Sequence, residues 1–238
     1  MNAVVLLDKK EPWRPRLLLP AYQIGEAARY SGISPQTVTA WHRADQRTIS
    51  VLPSRDARAA LSYLQLIEVA IVAALRKRGM TLARIRAARD YIAKQLKSEY
   101  PFAEHKFKTE GKHIWLNFSQ LESRSSNDSL VAADLGGQLA WTSIVGKKLE
   151  EFEYHSGLAT RWRLAGKRSR IVIDPQIAFG APSIKGTPTW TLLGRWKAKE
   201  PVEAIAEDFS LNASDVKEAL IFEGIEAKKI KLPSAWTH

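Results

Sequence analysis

The chain has 238 residues, 36 Lys+Arg against 25 Asp+Glu, and no cysteine. Such a length holds two or three small domains with real cores, and the missing cysteine excludes a disulfide frame, a thiolate zinc site and a cysteine nucleophile. The longest apolar run, Val69 to Leu75, is far shorter than the roughly 20 residues of a membrane span, and residues 1–19 lack the order of a signal peptide, so a soluble, cytoplasmic protein with no membrane partner is expected.

The charge is unevenly placed. Residues 1–98 carry 17 Lys+Arg against 7 Asp+Glu, a net +10, while the remainder carries 19 against 18. Phosphate neutralisation supplies most sequence-independent affinity for nucleic acid, so the front of the chain is where such binding is expected.

Residues 1–21 contain Pro12, Pro15 and Pro20 and are too broken for a helix interior; an arm or extended lead-in is expected. Residues 22–43, YQIGEAARYSGISPQTVTAWHR, read as a helix-turn-helix. Ile24, Ala27, Ala28 and Ser31 share one face of a first helix. Gly32 ends it, because only glycine enters the left-handed position without a Cβ penalty. Ser34 caps the next helix, Pro35 takes the first position where its missing N–H costs nothing, and Ile33 can pack on Val38 as a staple. Val38 and Trp41 turn inward, which places Gln36, Thr37, Thr39, Ala40, His42 and Arg43 outside. Gln bonds adenine, Thr offers a hydroxyl or methyl, and Arg pairs with guanine or phosphate. An ordinary helical hairpin would not require cap, proline, staple and outward polar set to coincide.

This string resembles the DNA-binding module of the MerR family, in which Tyr-x-Ile-Gly-Glu-x-Ala leads to Gly-Ile-Ser-Pro and a Thr-bearing recognition helix ending near Trp; Tyr22 to Trp41 matches throughout. The resemblance implies DNA contacts from Tyr22, Gln36, Thr37, Thr39, His42 and Arg43, and a homodimer reading two half-sites of operator DNA. A wing is expected next: residues 48–52 are strand-like before Pro53, with Arg47, Arg55 and Arg58 as phosphate contacts. Two helices follow, as in that family. Leu64, Ile67, Ile71 and Leu75 line the first, widened by Val69 and Val72, and Gly79 ends it. Thr81 caps the second, where Leu82, Ile85, Ala88, Ile92 and Leu96 form one face and Arg84, Arg86, Arg89, Lys94 and Lys97 clothe the rest. The resemblance extends to about Lys97, and the first domain is placed at 1–98.

Past Tyr100-Pro101 the pattern changes from helical period to alternation, which marks a boundary. A middle block at 99–168 is expected to be small and α/β: a hairpin over 106–117, a strand at 130–133, a helix over 137–149 and a strand at 152–155. Trp115, Trp141 and Trp162 read as core or interface anchors. The five histidines, His42, His105, His113, His155 and His238, are scattered, with no HExxH, no paired-His spacing and no Gly-rich phosphate loop. No enzyme, metal or cofactor is expected.

The third domain, 169–224, opens with a strand at 170–174 closed by Pro175. A helix follows over 191–198 with Leu192, Leu193 and Trp196 inward, then a second helix with Val202, Ile205, Ala206 and Phe209 on one face. Leu211, Asn212 and Asp215 repeat the staple, cap and capping-box grammar before a third helix with Val216, Ala219 and Leu220 inward. This three-helix unit is acidic where the front is basic: residues 201–224 carry six carboxylates against Lys217 alone. It would repel a phosphate backbone and suits a protein contact instead. The fold class expected is therefore α+β, mainly helical, with a MerR-like winged helix-turn-helix in front and a helix-turn-helix-like domain behind.

The block resembles a domain at the C-terminus of many antitoxins, through Ile-Val-Ile-Asp-Pro, Gly-x-Pro-x-Ile-x-Gly-Thr and Ala-Glu-Asp-Phe. The whole chain from Tyr22 to Glu223 is similar to VapB-type antitoxins with a MerR-like front. It departs from them at Pro188-Thr189, where the family often has a pair with isoleucine, and at Lys199, where it often has glycine. The resemblance implies a PIN-type nuclease toxin as partner, neutralised by this chain, together with repression of its own operon. The basic tail at 225–238 interleaves Lys228, Lys229 and Lys231 with Ile230, Leu232 and Trp236, so Lys228, Lys229, Lys231 and Trp236 are the candidate toxin contacts. The other reading the residues leave open is a MerR-like transcription regulator whose middle block senses a ligand or another partner.

Overall fold

A computed structural model describes residues 11–43, 50–52, 59–104, 107 and 146–230. The chain divides into two compact units, Met1–Thr160 and Arg161–His238.

In the first unit, helices α1 (Ile24–Ser31) and α2 (Pro35–Trp41) form the helix-turn-helix. Glu26 accepts the Gln23 N–H at 2.8 Å to start α1. Gly32 closes it in the left-handed region at φ 63°, with the Ile33 N–H donating back to the Ala28 carbonyl at 3.0 Å. Ser34 Oγ accepts the Thr37 N–H at 3.2 Å and starts α2. The entry and exit of the module are tied together: Leu61 N–H donates to Tyr22 O at 2.8 Å and Tyr22 N–H to Leu61 O at 3.0 Å, a single antiparallel bridge.

Behind the module lies α3 (Tyr63–Lys77), opened by a reciprocal Ser62 and Gln65 capping box. Its apolar residues are not confined to a stripe. Tyr63, Leu64, Leu66, Ile67, Val69, Ala70, Ile71, Val72, Ala73 and Leu75 are all buried, and a helix apolar on every side has to be enclosed. The enclosing elements are α1, α4 (Leu82–Leu96) and two short 3₁₀ turns, Arg14–Leu18 and Pro101–Ala103. Burying each Leu or Ile stabilises by roughly 1.5–3 kcal/mol, which makes α3 the main source of cohesion.

Glu68 is the one charged residue on α3 with no exposure. Its Oε2 accepts from Arg89 Nε at 2.7 Å and its Oε1 from the Phe102 N–H at 2.8 Å, while Arg89 also donates to Glu99 O at 2.6 Å. Arg89 therefore does not clothe the outer face of α4. It is 8% exposed and locks α4 and the Pro101–Ala103 turn onto α3.

One helical turn, α5 (Gly146–Leu149), precedes strand β1 (Phe152–His155), which is followed by β2 (Leu158–Arg163). Glu104 bridges to Leu158, and Arg14 donates to the Ser156 carbonyl. The hairpin expected over 106–117, the strand at 130–133 and most of the 137–149 helix lie outside the described residues, as do Trp115 and Trp141. Trp162 is fully buried, as an anchor should be.

The end of β2 pairs antiparallel with β3 (Ile171–Ile173), Trp162 opposite Ile173. Strands β4 (Ser183–Ile184) and β5 (Thr187–Pro188) continue the meander in chain order. Lys185 and Gly186 both have positive φ, 47° and 88°, the backbone that a two-residue hairpin turn between twisted strands requires. Three helices follow: α6 (Thr189–Lys197), α7 (Val202–Asp208) and α8 (Ala213–Phe222). Their inward residues match the expected faces, with Leu192, Val202, Ile205, Ala206, Val216, Ala219 and Leu220 buried together and Leu193, Trp196 and Phe209 packed around them. Ile225 and Ile230 join this core, so the chain after α8 is anchored as far as Ile230. Lys199 has φ 72°, a left-handed position that glycine would take without a Cβ penalty.

Candidate nucleic-acid interface

Val38, fully buried, and Trp41, 4% exposed, pin α2 to the module. The Trp41 carbonyl also accepts the N–H groups of Val51 and Leu52 at 3.1 Å each, so the chain beyond α2 returns under its C-terminal end. Ser50–Leu52 is the described part of the expected wing, and it is not strand. Arg47, Arg55 and Arg58 lie outside the described residues.

The anchoring leaves Gln36, Ala40 and Arg43 exposed and Thr37 and Thr39 half-buried. Pro35, Gln36, Thr39, Ala40 and Arg43 line one shallow open depression along the helix. Gln36 and Ala40 stand at i and i+4 on one face of α2, and Arg43, just past the His42 cap, lies beside them to complete one stripe. The sequence marks Ala40 only as outward. Its place between Gln36 and Arg43 supplies a low point at which a thymine methyl or base edge can approach, and the signal that finds it is this same spacing.

The two threonines arrive already committed in part. Thr37 Oγ1 shares a hydrogen with Ser34 Oγ at 2.9 Å, and Thr39 Oγ1 donates to Pro35 O at 3.0 Å. Each keeps a methyl group and an acceptor lone pair for DNA, so Gln36 and Arg43 carry the free donors.

Two expected contacts are placed differently. His42 is 7% exposed at the C-terminal cap of α2, because the returning Val51-Leu52 segment covers that end of the helix. Tyr22 is 3% exposed, with its ring centroid 6.3 Å from that of Tyr63. Both positions support the module from within and present no base-reading surface. Arg76, Lys77, Arg78, Lys94 and Lys97 of this unit are exposed, whereas Arg84 and Arg86 on α4 are half-buried, and Arg43 makes no ion pair among the described residues.

The second unit treats its charges otherwise. Asp215 has no exposure and receives Arg170 Nη1, Lys185 Nζ at 2.9 Å and the Asn212 N–H at 3.0 Å. Burial alone would raise its carboxyl, but Lys185, the Asn212 N–H and Arg170 together hold it below the ordinary aspartate value. Arg170 also meets Glu218 at 2.8 Å, and Arg195 meets Asp208 at 2.5 Å as well as Glu200. The acidic surface is thus partly neutralised from within, and Glu203 and Glu207 remain exposed on α7. Lys228 and Lys229 stand exposed on the Ala227–Lys229 turn, each paired with Glu226 at 2.9 and 3.3 Å. Lys231 and Trp236 lie outside the described residues. Among the described residues there is no cluster able to hold a metal and no helix long and apolar enough to cross a membrane.

Known proteins share both ends of this arrangement. Residues 22–92 match the model described as MerR HTH family regulatory protein, and residues 171–222 match a protein of unknown function, DUF433. A protein of Mycobacterium tuberculosis (strain ATCC 25618 / H37Rv) named "Putative antitoxin VapB45" is 25% identical over 226 residues, which is 86% of this chain and 94% of that one. The crystal structure of Rv2018 from Mycobacterium tuberculosis superposes with a TM-score of 0.68 at 23% identity, over 85% of this chain and 98% of that chain, and shares the fold. The names of that relative and of the front family model are those of an antitoxin and a regulatory protein. The chain is thus similar, over most of its length, to a protein named as a VapB-type antitoxin, with a MerR-like helix-turn-helix in front and a match to DUF433 behind.

Proposed function

We propose that the chain is the antitoxin of a type II pair, which binds operator DNA through α2 to repress its own operon and neutralises a PIN-type nuclease. The observation that carries the reading is the open Gln36, Ala40 and Arg43 stripe on a unit of strong positive charge, together with a relative named as an antitoxin that spans both units. DNA recognition by such a module uses two half-sites, so the working form is a homodimer on a palindromic operator.

A PIN-type nuclease gathers carboxylates around divalent metal. Its inhibitor has to cover that cleft or compete with the ion through cations of its own. The basic segment from Lys228 onward, with Lys229, Lys231 and Trp236, offers cations next to an aromatic anchor. Because Ile225 and Ile230 belong to the core, the segment to remove is residues 231–238, which leaves the domain whole. In co-expression with the nuclease encoded beside it, the full chain should co-purify with the toxin and block its ribonuclease activity, and the truncated chain should lose inhibition while keeping operator binding. A solitary gene whose product retains no nuclease would instead favour a MerR-like regulator, and undiminished inhibition by the truncated chain with Lys228→Ala and Lys229→Ala added would move the toxin contact to the acidic α7–α8 surface.

A further inference from the structure

Helix α6 carries an unexplained stripe on its solvent side. Trp190, Gly194 and Lys197 stand at i, i+4 and i+7, opposite the buried Leu192. Trp190 is 61% exposed, a large apolar surface that folding of the unit leaves in water. Gly194 sits inside the helix with ordinary helical φ, and a Cβ there would meet nothing within 4 Å. Alanine would suit this helix better, so packing and turn geometry inside the chain give no reason for glycine. A knob and a hole therefore share one exposed face, one helical turn apart.

We propose that this face is where a second copy of the chain docks, α6 against α6 about a two-fold axis. In a two-fold contact each copy supplies both partners of every pair from the same patch. An antiparallel pair centred between positions 190 and 194 sets Trp190 of each copy over Gly194 of the other, since the two positions are about 6 Å apart along the axis. A glycine at the crossing lets the helices approach to the short end of the usual 8–10 Å range. The same arrangement carries Lys197, exposed and without an ion pair among the described residues, to the start of the partner copy's helix. There Glu223 is held by the Thr189 hydroxyl, so cation and carboxylate meet twice, once at each end. A hole that accepts an unrelated partner needs no knob beside it on the same stripe, and the one-turn spacing with opposite charges at its ends is what self-pairing requires. The contact does not depend on the DNA or toxin reading.

The natural chain has no cysteine, so one introduced thiol reports this contact in the full-length protein whatever other surfaces associate. Thr191→Cys stands half-buried on the flank of this stripe, beside the two-fold, and keeps both Trp190 and Gly194. With a short bismaleimide it should give covalent dimers at least ~10-fold faster than Glu203→Cys on the exposed face of α7, a tenfold change being the loss expected when one central aromatic contact fails. Trp190→Ala or Lys197→Glu in the Thr191→Cys background should slow the reaction, the tryptophan change to the Glu203→Cys rate. Equal rates for the two cysteine positions, or indifference to Trp190→Ala, would overturn the proposal. So would rapid linkage only to a co-expressed nuclease, which would give the face to that protein instead.

Discussion

Two helix-turn-helix units lie in this chain, built on the same turn in different charge settings: residues 1–98 carry 17 Lys+Arg against 7 Asp+Glu, and residues 201–224 six carboxylates against Lys217 alone. In the front unit Gly32 donates to Arg29 O and Ile33 to Ala28 O; in the back unit Ser210 donates to Glu207 O and Leu211 to Ala206 O, the same i−3 and i−5 pair. A capping side chain follows two residues later in both, Ser34 in front and Asn212 behind. What differs is the fate of the cations. Arg43 projects from α2 with no ion pair among the described residues, whereas Arg170, Lys185 and Arg195 end on Asp215, Glu218, Glu200 and Asp208. Turn grammar therefore sets the fold of both units, and the partner each can take is decided by which charges remain unspent.

Among the described residues each unit also contains one carboxylate with no exposure, Glu68 in front and Asp215 behind, and removing them should separate the units most sharply. Glu68→Ala leaves the Arg89 guanidinium, 8% exposed, without its partner, and breaking a buried pair from one side costs about 3–5 kcal/mol. Chemical denaturation followed by circular dichroism should show that loss in the front transition. A loss under 1 kcal/mol would mean that Arg89 reaches water and that the lock on α3 is not structural.

Asp215→Asn should cost less, because Lys185 and Arg170 are about half exposed and can rehydrate. Hydrogen bonds to a charged group are worth about 1.5–3 kcal/mol, and that is the expected destabilisation of the back unit. The pH dependence has a definite sign. The folded carboxyl sits below its unfolded value of about 3.9, so its contribution is full above that value and is lost as pH falls through the folded one. The wild-type chain should therefore lose more stability than Asp215→Asn below about pH 4; parallel profiles would remove Asp215 from the account.

Much of this was readable in advance, and the part that was not has a common cause. Gly32, Ser34, Pro35, Thr81 and Asn212 act within four residues of themselves, and their roles follow from local backbone chemistry. The inward faces of α6 to α8 follow equally from helical period. His42, Tyr22 and Arg89 were misplaced because their burial depends on distant chain: the returning Val51-Leu52 strip, Tyr63, and Glu68 twenty-one positions away. For the same reason the acidity of residues 201–224 overstates the field they present, since Arg170 reaches Asp215 from 45 positions upstream. The open stripe of α2 was legible except for its low point at Ala40.

The charge contrast is tested on DNA by Arg43→Ala. A base contact from the recognition helix is worth about 1–3 kcal/mol, and a phosphate contact lowers the salt slope by about 1, so the variant should bind operator more weakly in one of these two recognisable ways. Lys217→Ala, a cation of the back unit, should change neither. Gel-shift titrations at several salt concentrations distinguish the outcomes, and equal affinity of wild type and Arg43→Ala on every duplex would end the assignment of α2 as reader.

The smallest effects test whether the shared turn is shared energetically. Gly32 and Ser210 hold the same left-handed position, at φ 63° and 52°, but only glycine does so without crowding its own carbonyl. Placing alanine at 32 should cost about 1 kcal/mol. Its Cβ would also come within 2.7 Å of Lys77 Nζ, though the end of a lysine side chain moves aside readily. Ser210→Gly should act in the opposite direction, stabilising the back unit by up to about 1 kcal/mol as the Cβ strain is relieved, less the added freedom of glycine in the unfolded chain. Thermal melts of the two variants should therefore move apart, the first downward and the second upward. If both move downward, the hydroxyl-bearing turn of the back unit is held by contacts of its own, and the likeness between the two turns ends at their hydrogen bonds.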